Sequence, residues 1–287
     1  MAVDKTWAGT TDVWDFADNW EPSGIPAAAD TVFIVSGSQD IAGATPASTS
    51  VARIVVGPKY TGSIGTLLGK LQIDTAILDF GGRSGTSYFK GSYTTVTVQD
   101  TASGSTALNL YGDYGTSETI TTLRILGGRG TINIDISCDI TTTIEQIGAS
   151  GVTTNLAAAT TIGASCTLVM DSGTFVMDTA IPTITVFGGE LESNIPSVET
   201  ITLLEVYDGR VRFNPTAACI ITQLTMYGGR MYTSDSTAPV FTITNCTMHE
   251  HAVLDERSGL KNTLFQNPAK MEGGEIKYDI GREVTIS

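Results

Sequence analysis

His249-Glu250-His251 comes closest in this sequence to a metal-ligand set. Two histidines two apart share one face of a strand. Zinc takes three or four ligands, and no third stands nearby, so no metal site is expected. Carboxylates are the next candidates. Asp171, Glu190, Glu192, Asp208 and Asp255 carry the groups that a glycoside hydrolase pairs as acid and base. They are equally the acids of any turn-rich acidic surface. No G-x-S-x-G elbow and no phosphate loop occurs. A groove that cleaves polysaccharides usually needs long inserted loops around it, and no long insert is apparent. The expectation is a non-enzymatic chain with no cofactor.

The aromatic residues form a pattern. Phe80, Tyr111, Phe187, Tyr207 and Tyr227 each precede a Gly-Gly, Gly-Asp or Asp-Gly pair. Leu126, Asp171, His249 and Glu272 hold the same place in other copies. Facing outward, such a column would centre a protein interface or present a platform for sugar rings. Tucked beside the turn, it would shield backbone. All three readings stay open at the level of sequence. The next column reads Arg129, Glu190, Arg210, Arg230 and Glu275. Neighbours such as Glu190 and Arg210 can pair across copies, which contributes only about 0–1 kcal/mol at an exposed site.

A repeat has to position these columns. Ile184-Thr185-Val186-Phe187-Gly188-Gly189 recurs as Leu204-Glu205-Val206-Tyr207-Asp208-Gly209 and as Leu224-Thr225-Met226-Tyr227-Gly228-Gly229. The copies are twenty residues apart. Weaker copies start at Leu168, Cys246 and Ala269, and upstream at Ile77, Leu108 and Leu123. Two apolar residues one apart lie on one face of a strand. The Gly pair supplies positive φ and turns the chain. A second strand follows, as in Val211-Arg212-Phe213. A third Thr/Ile strand, such as Ile220-Ile221-Thr222, closes the coil. No coil can bury its apolar side alone, so stacking makes the core. The expected fold is all-β: a single-stranded parallel β-helix, or β-solenoid, with coils of about 20 residues and three short strands each. A β-sandwich competes, but it predicts hairpins and no fixed frame.

Composition agrees with strands and turns. Charged residues make up 16%, against about 25% for an ordinary domain, and Gly numbers 31. The formal net charge is −14, which repels phosphate backbones and argues against nucleic-acid partners. Cys138, Cys166, Cys219 and Cys246 form no C-x-x-C pair and sit among apolar or Thr-rich residues. Buried, reduced thiols are expected, with a bridge between neighbouring coils as the alternative. No basic segment precedes an apolar run near Met1, and no run of eighteen apolar residues occurs, so neither a signal peptide nor membrane insertion is expected.

Residues 1–35 differ from the rest. They hold Trp7, Trp14 and Trp20, all three tryptophans of the chain. A solenoid end exposes apolar surface and open edges, so a cap or attachment role is expected for this segment, with the solenoid over 36–287.

The order Trp7-Ala8-Gly9, Trp14, Asn19-Trp20, Gly24-Ile25-Pro26, Asp30-Thr31-Val32-Phe33-Ile34 resembles the opening of adhesin-like and autotransporter-like β-helix modules. Similar openings occur in β-helical structural proteins of tailed bacteriophages. Autotransporters add a signal peptide and a C-terminal barrel, neither of which is apparent. The resemblance therefore implies a virion structural protein, such as a capsid decoration, head fibre or tail fibre module, assembled in the host cytoplasm. It also implies a homotrimer that docks on other virion proteins such as the major capsid protein. A glycan-binding adhesin module, meeting a host-surface glycan outside the cell, is the alternative. A polysaccharide-cleaving tailspike comes third.

Overall fold

The computed structural model describes residues 1–43, 45–46, 50–81, 85–99, 107–112, 118–135, 138–158, 160–233, 241–257 and 263–277. Among these residues the chain winds as a parallel β-solenoid of about ten turns. A long sheet of 15 strands and a short sheet of 11 strands run along it. At about 4.8 Å per coil the rod is about 50 Å long. Gly82, Arg83 and Asp113, which belong to weaker sequence copies, and the stretch 278–287 lie outside the described residues.

The repeat frame is the register of the long sheet. Ile184, Leu204, Leu224 and Cys246 are successive partners, as are Val186, Val206, Met226 and Met248. All eight are buried. On the short sheet Phe175, Leu191, Val211, Met231 and Leu254 form the facing column. Each such side chain removed from water contributes about 1.5–3 kcal/mol. The two sheets close a dry interior that runs the length of the rod.

The structure corrects the expected three strands per coil: each turn places one strand in each of two sheets, the coil from Thr167 has only Thr167–Met170 and Thr174–Met177, and elsewhere the expected third strand runs on into the long-sheet strand. Glu199–Val206 and Cys219–Met226 are single strands that bend midway. Thr202 and Leu203 both donate their backbone N–H to Pro182 O, at 2.9 and 3.0 Å. The buried residues on either side, Ile201 and Leu204, are three apart rather than two. The extra residue turns the strand around the core without breaking the ladder.

The turn from long sheet to short sheet needs glycine. Gly189, Gly209 and Gly229 have φ of 80°, 83° and 68°. At Gly209 a Cβ would stand 2.6 Å from Gly189 O on the coil before. Coils can stack here only because that atom is missing.

The rung of Gln146 and Thr154 carries polar groups inside. Gln146 occupies the column of Met170 and Val186, and Thr154 that of Phe175. Both are fully buried. Thr154 Oγ1 donates to Gln146 Oε1 at 2.7 Å, and Gln146 Nε2 donates to Ser172 O at 2.8 Å. The pair answers its own hydrogen-bonding needs across the core.

The tryptophans pack into one edge-to-face cluster at the first end of the rod. Trp7 and Trp14 each meet Trp20, at 5.1 and 4.7 Å between centroids. All three are buried. Asn19, also fully buried, ties the loop above them. It accepts from Thr11 N and Thr10 Oγ1 and donates to Val13 O and Thr11 Oγ1. Asp4–Trp7 pairs in parallel with Thr31–Gly37, so residues 1–35 supply rungs of the long sheet.

Candidate functional site: an aromatic edge

Along the corner where the long sheet ends, the residue before each turn points outward. Phe187, Tyr207, Tyr227 and His249 stack there in one column. Centroid separations are 4.8, 4.5 and 4.7 Å, and interplanar angles are 27°, 17° and 6°. The spacing is the rung spacing, so the backbone ladder itself places the rings face to face. Phe187 is 49% exposed, Tyr207 39% and Tyr227 40%. Desolvation, then Glu205 and Tyr227, hold the Tyr207 phenol above its ordinary value. His249 Nδ1 lies 2.9 Å from Glu272 Oε2, which closes the column at its far end. Upstream the same edge continues with Ile147 and Leu126, both exposed, and is interrupted by Asp171.

Two of the five aromatic residues expected in this column are not in it. Phe80 faces inward. It is 1% exposed, pairs with Val56 and Val98, and meets Phe89 across the core at 6.5 Å. Its copy of the frame is displaced by one residue, and one residue reverses every side chain of a strand. Tyr111 belongs to the short sheet, where it pairs with Lys90 and stacks on Tyr88 at 6.3 Å. Lys70 Nζ sits 4.2 Å from its ring centroid. Neither residue can serve the edge. The charged column needs a similar correction. Arg129 pairs with Gly151, two residues before the Thr131–Thr153–Thr174–Glu190 line that leads to Arg210 and Arg230. Arg210 Nη1 is 3.8 Å from Glu190 Oε1, whereas Arg212 Nε is closer, at 2.7 Å.

Asp171, Asp208 and Asp255 are held in local structure, and Glu190 lies against arginines of the short sheet. Asp171 Oδ1 accepts from Gly148 N at 2.8 Å and Ser172 Oγ at 2.7 Å. Asp208 Oδ1 accepts from Gly209 N at 2.7 Å, and Asp255 takes both Nε and Nη2 of Arg257. Side-chain hydrogen bonding from Arg257 holds Asp255 below its ordinary value. Among the described residues no three His, Cys, Asp or Glu side chains gather as a metal site, and no helix is long and apolar enough to cross a membrane. The four cysteines are free and buried. Burial, ahead of any charge, pushes Cys138, Cys219 and Cys246 up to about 12 and Cys166 to about 11.

Stacking decides what the edge can offer. A sugar ring binds an aromatic residue through the ring face. In this column the faces of Tyr207 and Tyr227 are covered by their neighbours, and only ring edges and hydroxyls meet solvent. No family model, no curated protein and no solved structure matches the chain.

Proposed function

We propose that the chain is a stiff, non-catalytic rod that serves as a virion structural component: a capsid decoration, head fibre or tail fibre module of a tailed bacteriophage. The observation that carries this reading is the closed aromatic column on an unbroken ladder. Rings that stack on each other stiffen the corner of the rod and leave a narrow apolar strip of ring edges. That strip, with Ile147 and Leu126, is suited to side-by-side packing of identical rods, and a trimer is the proposed assembly. The phage assignment itself rests on the resemblance of the Trp-rich opening. The sugar-platform alternative loses support at Tyr207 and Tyr227, because both faces of each ring are occupied.

The test uses particles. Antibody raised against the chain, applied to purified phage from the producing host, is expected to label the particles at a fixed position in electron micrographs. Mass spectrometry of the same particles is expected to find the chain in stoichiometric amount. Unlabelled particles, with the chain recovered only from the free fraction, would overturn the reading.

A further inference from the structure

The short sheet carries a second constellation, across the glycine turn from the aromatic edge. Glu190, Arg210 and Arg230 are successive partners, and so are Glu192, Arg212 and Tyr232 in the column beside them. The guanidinium carbons of Arg210, Arg212 and Arg230 lie 5.7, 5.9 and 5.7 Å from the Tyr232 ring centroid. Three arginines on two neighbouring rungs are unusual on a chain of net charge −14. Like charges this close repel unless something answers them.

The acids around them answer only in part. Glu190 is shared between Arg212 and Arg210, at 2.7 and 3.8 Å, and the Arg212 contact is too bent for a hydrogen bond. Asp255 is held by Arg257. Arg230 pairs with no carboxylate within 4.0 Å among the described residues, and its Nη1 donates to Tyr232 Oη at 3.2 Å. Arg210 and Arg230 line an open cleft of about 600 Å³ together with Tyr232, Gly173, Gly189 and Gly209, and Glu190 lines it too.

The shape and the backbone narrow the choice of ligand. The cleft is shallow and crosses several rungs, so it suits a chain lying along the rod better than an enclosed small molecule. Its backbone is already spent. Glu190, Arg210 and Arg230 each donate N–H to the glycine carbonyl of the coil before, at 2.9, 2.9 and 3.0 Å. A peptide strand would therefore find no main-chain partners here, and main-chain bonds are what give strand addition its affinity. The net charge of −14 opposes any polyanion at long range, and nucleic acid, with about one charge per 1.7 Å of duplex axis, is opposed more strongly than a chain with one carboxylate per sugar. What remains is a chain that recognises arginine through its own side groups. One rung advances about 4.8 Å, close to one sugar ring with its linkage.

We propose that this cleft binds an acidic polysaccharide of uronate type, with Arg210 and Arg230 meeting carboxylates on successive sugars. The proposal concerns a different face from the aromatic column and does not depend on where the rod is mounted.

Calorimetric titration of the full chain with polygalacturonate oligomers tests it, with dextran and poly-glutamate of equal length as comparators. Saturable binding of polygalacturonate is expected, weakening as salt rises, with no binding of dextran. Arg230→Gln and Arg210→Gln are each expected to lower the affinity at least tenfold, with circular dichroism unchanged. Arg124→Gln removes an arginine paired with Glu145 on the long sheet and is expected to leave binding intact. Absence of polygalacturonate binding would overturn the proposal, as would an equal loss in Arg124→Gln. Poly-glutamate binding as tightly would replace the sugar with a peptide partner and overturn it too.

Discussion

Tyr207 lies between two rings, with Tyr227 on one side at 4.5 Å and 17° and Phe187 on the other at 4.8 Å. Phe187 has one such ring neighbour. Aromatic pairs contribute about 0.5–1.5 kcal/mol beyond the area they bury. Tyr207→Ala is therefore expected to destabilise the rod more than Phe187→Ala, by about one such increment. Urea unfolding of the two variants checks this. Equal losses would mean the stack adds nothing to stability.

The strip of ring edges is expected to hold rods together. Native mass spectrometry of the purified chain should find a trimer. Tyr207→Ser combined with Tyr227→Ser should shift it toward monomer, with the fold retained by circular dichroism. A monomeric parent chain would remove the interface from the proposed function.

Gly209 and Gly148 separate strain from collision. Both have positive φ, at 83° and 67°. A Cβ at Gly209 meets Gly189 O at 2.6 Å, whereas at Gly148 the nearest atom is Leu126 O at 3.6 Å. Backbone strain alone costs on the order of 1–3 kcal/mol. Gly209→Ala is expected to exceed Gly148→Ala in the loss of stability, since it adds a clash between coils to the same strain. Thermal melts of the two variants would show it.

Gln146 and Thr154 are expected to behave as a unit. Thr154→Val leaves Gln146 Oε1 without its donor in the core, which costs about 1–3 kcal/mol. Adding Gln146→Leu removes the stranded group and is expected to recover most of that loss. A double-mutant cycle from denaturation midpoints measures the coupling.

The thiols predict a response to alkali. Their folded values, about 11 for Cys166 and about 12 for the other three, lie above the ordinary 9.0. Between those limits the folded state holds more protons than the unfolded chain, so stability falls as pH rises. The contribution is complete below about pH 9 and is lost as pH climbs toward 11 and 12. Native thiols should resist a thiol reagent at pH 8, and all four should react in denaturant. Four Cys→Ala replacements should flatten the alkaline decline.

Much of this was readable in the sequence because the repeat is most regular where the edge is best formed. Twenty-residue spacing at Phe187, Tyr207 and Tyr227 leaves the register no freedom, and the rings stack. Phe80 and Tyr111 misled for two separate reasons. Around Phe80 the alternation of Leu78 and Phe80 is what faces the core, yet Gly81 imitates the turn one residue early. Leu108-Asn109-Leu110-Tyr111 fits the frame well, but both sheets alternate in the same way, and the pattern does not say which sheet a strand joins. The Gln146–Thr154 rung was hidden because a polar residue in an apolar column reads as a break, and only its partner across the core explains it. The arginine cleft was half visible: the Arg210–Arg230 column could be aligned, but Tyr232 and Arg212 join it only through the alternation of the short sheet.

The ladder bonds between coils point along the rod, and the strands Asp4–Trp7 and Glu275–Lys277 lie at opposite ends of it. Tension applied between these two strands therefore loads one rung at a time, as a zipper is loaded, and not all rungs together. Each coil of twenty residues that peels away releases about 70 Å of slack chain while shortening the folded stack by about 4.8 Å. A tether built this way lengthens coil by coil under load, and the remaining coils keep their shape.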